Sequence, residues 1–303
     1  MNTAICFFLA SPRHRIPSRP RWRWLYRHGR AAGLRVLRQN RRVPRPGGYE
    51  EGLRHAVASL RLRSANVPRI ILLTPDDVVA PEGIDEIIRV DPAPYCAVRG
   101  AHYEFGVTVF MKLAVFSLSR FDRVIYFDSD VLFVDDVSDL WAPDKHADRA
   151  LYGVRESERI GTTAAQAMGK VNTGVMVLNA RSLDGAAHLE LFALARAGNS
   201  YDGGDQGIIN AFVAARRPEF AGELDPSLNV FVNDRSIDRR LMDALPARVL
   251  HFTGLYKPFA TTHGDEFVHD EEIRALYWSV ANSQEPRPLA RGIEALVSTS
   301  PRR

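Results

Sequence analysis

Short, unbroken apolar runs alternate along the chain with stretches of helical period. Leu53, Ala56, Val57 and Leu60 fall at i, i+3, i+4 and i+7 and predict an amphipathic helix starting near Tyr49. Strands are predicted at Ile70 to Leu73, Ile87 to Val90, Arg123 to Phe127, Ala150 to Val154, Gly174 to Leu178 and Val249 to Phe252. Helices are predicted at Val107 to Leu118, Leu189 to Ala195 and Gln206 to Ala214. The strand runs are apolar throughout rather than alternating, which implies an α/β fold with a mostly parallel sheet covered on both faces. Ligands of such sheets gather at the carboxyl ends of the strands.

Composition refines this picture. With 303 residues, 46% of them apolar, the chain can bury a large core. The early run Ala4 to Ala10 is too short to span a bilayer and lacks a charged leader, so a cytoplasmic protein is expected. Cys6 and Cys96 have neither metal-ligand nor redox spacing, and no disulfide framework is expected.

Charge is unevenly placed. Residues 1–49 hold twelve arginines, no lysine and no acid, so within a net charge of +4 the remainder stands at −8. An acidic body argues against nucleic-acid binding and confines any polyanion or membrane contact to the N-terminus. The segment Ser11 to Gly48 mixes Arg, Pro and Gly with Trp22, Trp24 and Tyr26 and shows no sustained period. Two readings stay open for it: a solvated tail or misassigned start, and a basic, Trp-bearing surface that touches anionic lipid at the membrane periphery. The expected organisation is a possible first strand plus leader over 1–48, a catalytic domain over 49–285 and a frayed tail over 286–303.

Five elements carry candidate chemistry. Asp128 and Asp130 leave an apolar strand two residues apart; they can converge on a hard divalent cation, or form an exposed turn. Asn172-Thr173-Gly174 precedes a predicted strand and either offers an amide to a sugar or ribose hydroxyl or merely turns the chain. Asp202-Gly203-Gly204-Asp205-Gln206-Gly207 heads a helix; Asp205 can be its N-cap, although capping calls for neither Asp202 nor Gln206. His251 leaves the last strand and can complete a site begun by two carboxylates, its nitrogen favouring Mn²⁺ somewhat over Mg²⁺, or be an ordinary core histidine. Lys257 follows the Gly254 turn and suits a phosphate. Lys112, inside an apolar stretch, is either exposed or buried against an anion.

In chain order, Phe105-Gly106-Val107-Thr108 to Lys112-Leu113, Asp128-Ser129-Asp130, Asn172-Thr173-Gly174, Tyr201 through Gly207 and His251 through Pro258 resemble glycosyltransferase family 8, specifically its glycogenin-like branch, over about Tyr49 to Phe259. The resemblance implies a GT-A fold and a Mn²⁺-dependent (Mg²⁺ possible) retaining transfer of a hexose from a UDP-sugar to a hydroxyl acceptor. It implies that Asp128, Asp130 and His251 ligate the metal, and that Lys257 and the Gly254 amide hold the diphosphate. Lys112 and Asn172, with Ser129 and Tyr49, would meet the donor, while Asp202, Asp205 and Gln206 would line the catalytic, sugar and acceptor side. Two departures stand out. In the family a base-binding loop carrying a Tyr follows the first strand at once, whereas Tyr49 comes nearly forty residues later. No tyrosine lies between Asn229 and Arg248, where self-glucosylating members carry their acceptor, so a separate acceptor is expected.

Double displacement and front-face attack both remain open as routes to retention. Two rival functions stand beside this one. A catalytically silent nucleotide-sugar binder would not need a complete metal set. A glycoside hydrolase would need carboxylates far enough apart to flank a glycosidic bond, which suits Asp128 and Asp130 poorly.

Overall fold

The strand Thr3–Phe8 (β1) lies in the middle of the main sheet of this computed structural model, which describes residues 1–10, 47–98, 108–157, 160, 165–216, 220–232, 247–253, 258–259 and 277–282 (backbone only at 47–48, 96–97 and 108). β1 pairs in parallel with Arg69–Thr74 (β2) on one side and Arg123–Phe127 (β4) on the other, and β2 pairs in parallel with Glu86–Arg89 (β3). The side-chain period of two divides these apolar runs cleanly. Ala4, Cys6, Ile71, Leu73, Val124 and Tyr126 enter one core; Ile5, Phe7, Ile70, Leu72, Ile125 and Phe127 enter the other. That two-sided burial is why the strands read as continuous hydrophobic stretches.

Beyond β4 the sheet continues through Val171–Asn179 (β7), Leu151–Arg155 (β6) and Ala221–Glu223 (β8), in the spatial order β3-β2-β1-β4-β7-β6-β8. β7 runs antiparallel to both β4 and β6, and the other strands share one direction, which gives a mostly parallel sheet with one reversed member. A smaller sheet is built from Val131–Phe133 (β5), Val249–His251 (β10) and Val230–Phe231 (β9).

Helices cover both faces. Gly47–Arg63 (α1) buries Leu53, Ala56, Val57 and Leu60 against the second core together with β5, as the period predicts. Gly185–Ala197 (α3) and Asp205–Ala215 (α4) bury Ala187, Leu191, Ala195, Ile208, Ile209 and Phe212 in the first core. Local signals agree at the α3 ends: Asp184 accepts from the Ala187 amide, and Gly198 ends the helix at a φ of 76°. A third cluster on the far side of the small sheet joins Leu132, Leu250 and Phe252 to Phe259, Tyr277 and Val280.

Three expectations are corrected. The single helix predicted over Val107 to Leu118 is, within the described residues, a short α turn at Thr108–Met111 (α2) followed by a 3₁₀ segment at Lys112–Ser117. Lys112 through Phe116 are all buried there, so no polar face exists to sustain an amphipathic α-helix, and packing sets the tighter turn. The strand predicted from Gly174 starts at Val171, which places Asn172, Thr173 and Gly174 inside β7 rather than in a turn before it. They lie beside a register shift between Gly153 and Arg155 of β6, a bulge that bends the partner strand where the site forms. Strands β5, β8 and β9 were not anticipated; each has two or three residues, too few to show a period. Among the described residues, no helix is long and apolar enough to cross a membrane.

Candidate active site

Asp128 follows β4 directly, and its amide donates to the Gly174 carbonyl of β7 at 2.8 Å, so the chain leaves the sheet at a fixed point. The reversal through Ser129, itself buried, leads into β5. β5 pairs antiparallel with β10 in a register that sets Val131 against His251, and the Phe252 amide donates to the Asp130 carbonyl at 2.9 Å. Backbone pairing thus brings His251 to the two aspartates, from which it is far removed in sequence. His251 Nε2 lies 3.3 Å from Asp130 Oδ1 and 3.7 Å from Asp128 Oδ2. One ligand atom from each of the three residues falls within a 4.8 Å cluster. Two carboxylates and one imidazole suit a divalent cation that accepts oxygen with borderline nitrogen. Gly174 makes room for this arrangement, because a Cβ there would stand 2.2 Å from His251 Cε1.

Lys112 settles its two readings in favour of burial. Its side chain is 7% exposed, and its Nζ lies 2.9 Å from Asp128 Oδ1 and 3.0 Å from Asp205 Oδ2. The ammonium also donates to Thr173 Oγ1 at 3.2 Å and stands 4.9 Å above the Tyr126 ring centroid. Burial opposes its charge, but the two carboxylates outweigh that cost and raise its pKa above the ordinary lysine value. Asp205 is pushed up as well, chiefly by burial and further by Asp128, more than Lys112 offsets. Tyr126 donates its hydroxyl to Asp128 Oδ1 at 2.7 Å, and burial, then Asp128, holds that phenol well above its usual pKa.

The Asp-Gly-Gly-Asp turn divides its labour differently from the sequence reading. Asp202 Oδ1 accepts from Ser200 Oγ at 2.8 Å, the Gly204 amide at 2.9 Å and the Gly207 amide at 3.1 Å. Asp202 therefore satisfies the start of α4, while the N-cap position falls on Gly204, which has no side chain to offer. Asp205, considered as the cap, is the first helical residue and turns instead to Lys112 and to Thr173, whose Oγ1 donates to it at 2.9 Å. Gly207 is required by close packing, since a Cβ there would stand 2.1 Å from Ser200 Oγ.

Gln206 and Asn172 anchor a second polar cluster. Asn172 Nδ2 donates to Glu156 Oε1 at 2.7 Å and to Gln206 Oε1 at 2.9 Å; Gln206 Nε2 donates to Glu156 Oε1 at 3.1 Å and to Tyr201 OH at 2.9 Å. Burial, the largest cause, pushes the Tyr201 phenol up to about 12. Lys170 Nζ lies 4.8 Å above the Tyr201 ring.

The structure thus brings together Asp128, Ser129, Asp130, Asn172, Asp202, Asp205, Gln206, His251 and Lys112. Tyr49 sits in the first turn of α1 with its ring edge-on to Phe259 at 5.7 Å, under the cores rather than on a loop after β1. Gly254 and Lys257, expected at the diphosphate, lie outside the described residues. Glu156, Tyr126 and Asn229 carry no expectation from the sequence, and Thr173 enters there only as the middle of its triplet, without a role of its own. For Glu156 a signal existed, an acid just past an apolar strand; Asn229, within an apolar stretch, carries no mark that sequence reasoning can use.

The profile of glycosyl transferase family 8 matches residues 101–262, more than half of the chain and the stretch holding most of this constellation. The chain belongs to glycosyltransferase family 8. Human glycogenin-1 is 27% identical over 266 residues, covering 77% of this chain and 68% of its own. Inositol phosphorylceramide glucuronosyltransferase 1 of Arabidopsis thaliana is 29% identical over 122 residues, which cover 40% of this chain and only 19% of the plant protein. Among solved structures, the galactosyltransferase LgtC in complex with donor and acceptor sugar analogs superposes with a TM-score of 0.55 at 16% identity, covering 96% of this chain and 99% of that one. GlyE of Streptococcus pneumoniae superposes at 0.58 and 16% identity, with 61% of its chain covered. The architecture is the GT-A fold.

Proposed function

We propose that this family 8 protein transfers a hexose from a UDP-sugar to a hydroxyl of a separate acceptor, with retention of configuration and with the help of Mn²⁺ or Mg²⁺. The observation that carries the reading is the convergence of Asp128, Asp130 and His251 at the carboxyl end of β4, beside the Lys112 ammonium, in a chain of this family. A bound cation would supply Lewis acidity to the donor diphosphate. The remaining work belongs to side chains. Lys112, held charged by its two carboxylates, offers positive charge next to the leaving group, where charge develops as the glycosidic bond breaks. Asp205, Gln206, Asn172 and Glu156 form a polar wall whose oxygens and amides suit sugar hydroxyls. LgtC was solved with donor and acceptor analogs, and a site with separate donor and acceptor portions fits the wall and cation cluster seen here. Asp202 serves this wall by fixing the turn that presents Asp205 and Gln206. Lys257 and the Gly254 amide complete the diphosphate contacts in this reading, and Ser129 is assigned to the donor side, whereas Tyr49, packed against Phe259, is given no role in it. The Arg/Trp segment 11–48 adds peripheral contact with anionic lipid; the plant relative's name, which specifies a phosphorylceramide, makes a lipid-linked glycan one acceptor class to test.

A thermal-shift series against UDP, GDP and UDP-sugars, with and without Mn²⁺, tests the reading, followed by UDP release in the presence of candidate acceptors. UDP is expected to stabilise the wild type only with Mn²⁺ and to leave Asp128→Asn unmoved. Absence of any nucleotide shift under any metal would withdraw the donor class, and binding without turnover would favour the silent binder.

A further inference from the structure

His251 Nδ1 lies 2.8 Å from Asn229 Oδ1; Asn229 Nδ2 lies 2.6 Å from Asn172 Oδ1; and the Gly174 amide donates to that same Asn172 Oδ1 at 2.9 Å. Asparagine oxygen and nitrogen are interchangeable in appearance, so such chains are often ambiguous. Here one end is not. A main-chain N–H can only donate, so Asn172 must turn its oxygen toward Gly174. Asn229 must then donate its NH₂ to that oxygen and present its own oxygen to His251. An amide oxygen can only accept, so Nδ1 of His251 must carry the hydrogen. The opposite end of Asn172 agrees, because its NH₂ meets two acceptors, Glu156 Oε1 and Gln206 Oε1.

We infer that Asn229 is a positioning residue that locks His251 in the Nδ1–H tautomer and aims its Nε2 lone pair at the space between Asp128 and Asp130. The inference rests on the metal-assisted reading of that cluster. Three further features make the lock rigid. Asn229 is fully buried, so water cannot replace it as the acceptor. The Phe231 ring stands edge-to-face against the imidazole at 5.6 Å and 89°. Gly174, whose amide orients the relay, is also the residue whose missing Cβ admits the ring. Hydrogen-bond partners behind a histidine ligand set its tautomer and orientation, and their loss weakens metal binding. The same relay ties the polar wall at Glu156 and Gln206 to the cation cluster through side chains alone.

The test uses the full chain and Mn²⁺ alone as probe. Long-range ¹H–¹⁵N spectra of metal-free wild type in mildly alkaline buffer are expected to show His251 protonated at Nδ1 and bare at Nε2; an Nε2–H tautomer would overturn the inference. Mn²⁺ affinity, read from the free-ion electron paramagnetic signal, is expected to fall about 10–100-fold in Asn229→Leu. Asn229→Asp, which keeps an acceptor for Nδ1–H but loses the donor to Asn172, should retain most of the affinity even where its melting point drops. Should Asn229→Leu, folded by circular dichroism, bind Mn²⁺ as the wild type does while Asp130→Ala does not, the positioning role is wrong and the metal reading stands. Should Asp130→Ala bind as the wild type does, the metal reading fails, whatever the tautomer spectrum shows.

Discussion

Lys112 Nζ reaches Asp205 Oδ2 at 3.0 Å, joining a 3₁₀ segment on one face of the sheet to the first residue of helix α4, which is 93 positions away in the chain. The same ammonium holds Asp128, so one buried cation ties the wall of the site to its cation cluster. Removing it leaves two largely buried carboxylates without their counter-charge. Lys112→Met is expected to lower unfolding stability by roughly 3 kcal/mol, and the double variant Lys112→Met/Asp205→Asn to recover part of that, since removing one partner of a buried pair costs more than removing both. Urea unfolding of the single and double variants measures the difference.

The pH dependence follows from the same pair. The folded-state pKa of Lys112 lies above its model-peptide value of 10.5. Its stabilising contribution is therefore complete below pH 10.5 and is lost as pH rises through the higher folded value. The wild-type urea midpoint should fall more steeply above that pH than the Lys112→Met midpoint, and parallel curves would show that the ammonium is not held by Asp128 and Asp205.

Gly174→Ala places a methyl group 2.2 Å from His251 Cε1 and 3.0 Å from Asn172 Oδ1, between ring and strand, where backbone and side chain are all buried. A cost of about 1–3 kcal/mol is expected from overpacking. Loss of Mn²⁺-dependent stabilisation by UDP should accompany it, read in the same melting experiment. Retention of that stabilisation would mean that His251 is not needed where it stands.

Asp202 and Asp205 should separate stability from turnover. Asp202→Ala removes the acceptor of three hydrogen bonds at the start of α4 and should cost about 1–2 kcal/mol, as loss of a helix cap does. Asp205→Asn leaves those bonds intact, and under the proposed function turnover should drop by roughly a hundredfold with the turn preserved. Equal turnover in Asp205→Asn and wild type would remove Asp205 from the working site.

Much of the fold was legible in the chain. Arg123 to Phe127 was predicted at its observed bounds, and the stripe Leu53, Ala56, Val57, Leu60 faces the core as its spacing requires, because both signals are local periods imposed by burial. The pairing of Asp128 with Asp130 is likewise written in adjacent residues. Other features were harder to read. Whether Lys112 was exposed or buried could not follow from an apolar stretch that looks the same in either case. The capping role moved from Asp205 to Asp202 because a five-residue reach back from the Gly207 amide depends on the path of the turn, with Gly203 at a φ of 77°.

The sequence by itself determined the apolar strands, the covered parallel sheet and the residue types that meet at its carboxyl end, since each is encoded within a few neighbouring positions. Only the tertiary structure decided that β7 runs antiparallel, that Lys112 serves two carboxylates and that Asn229 stands behind His251. Those relations arise where distant segments are packed together by cores they share, and a contact between residues far apart in the chain leaves no period, spacing or composition to mark it.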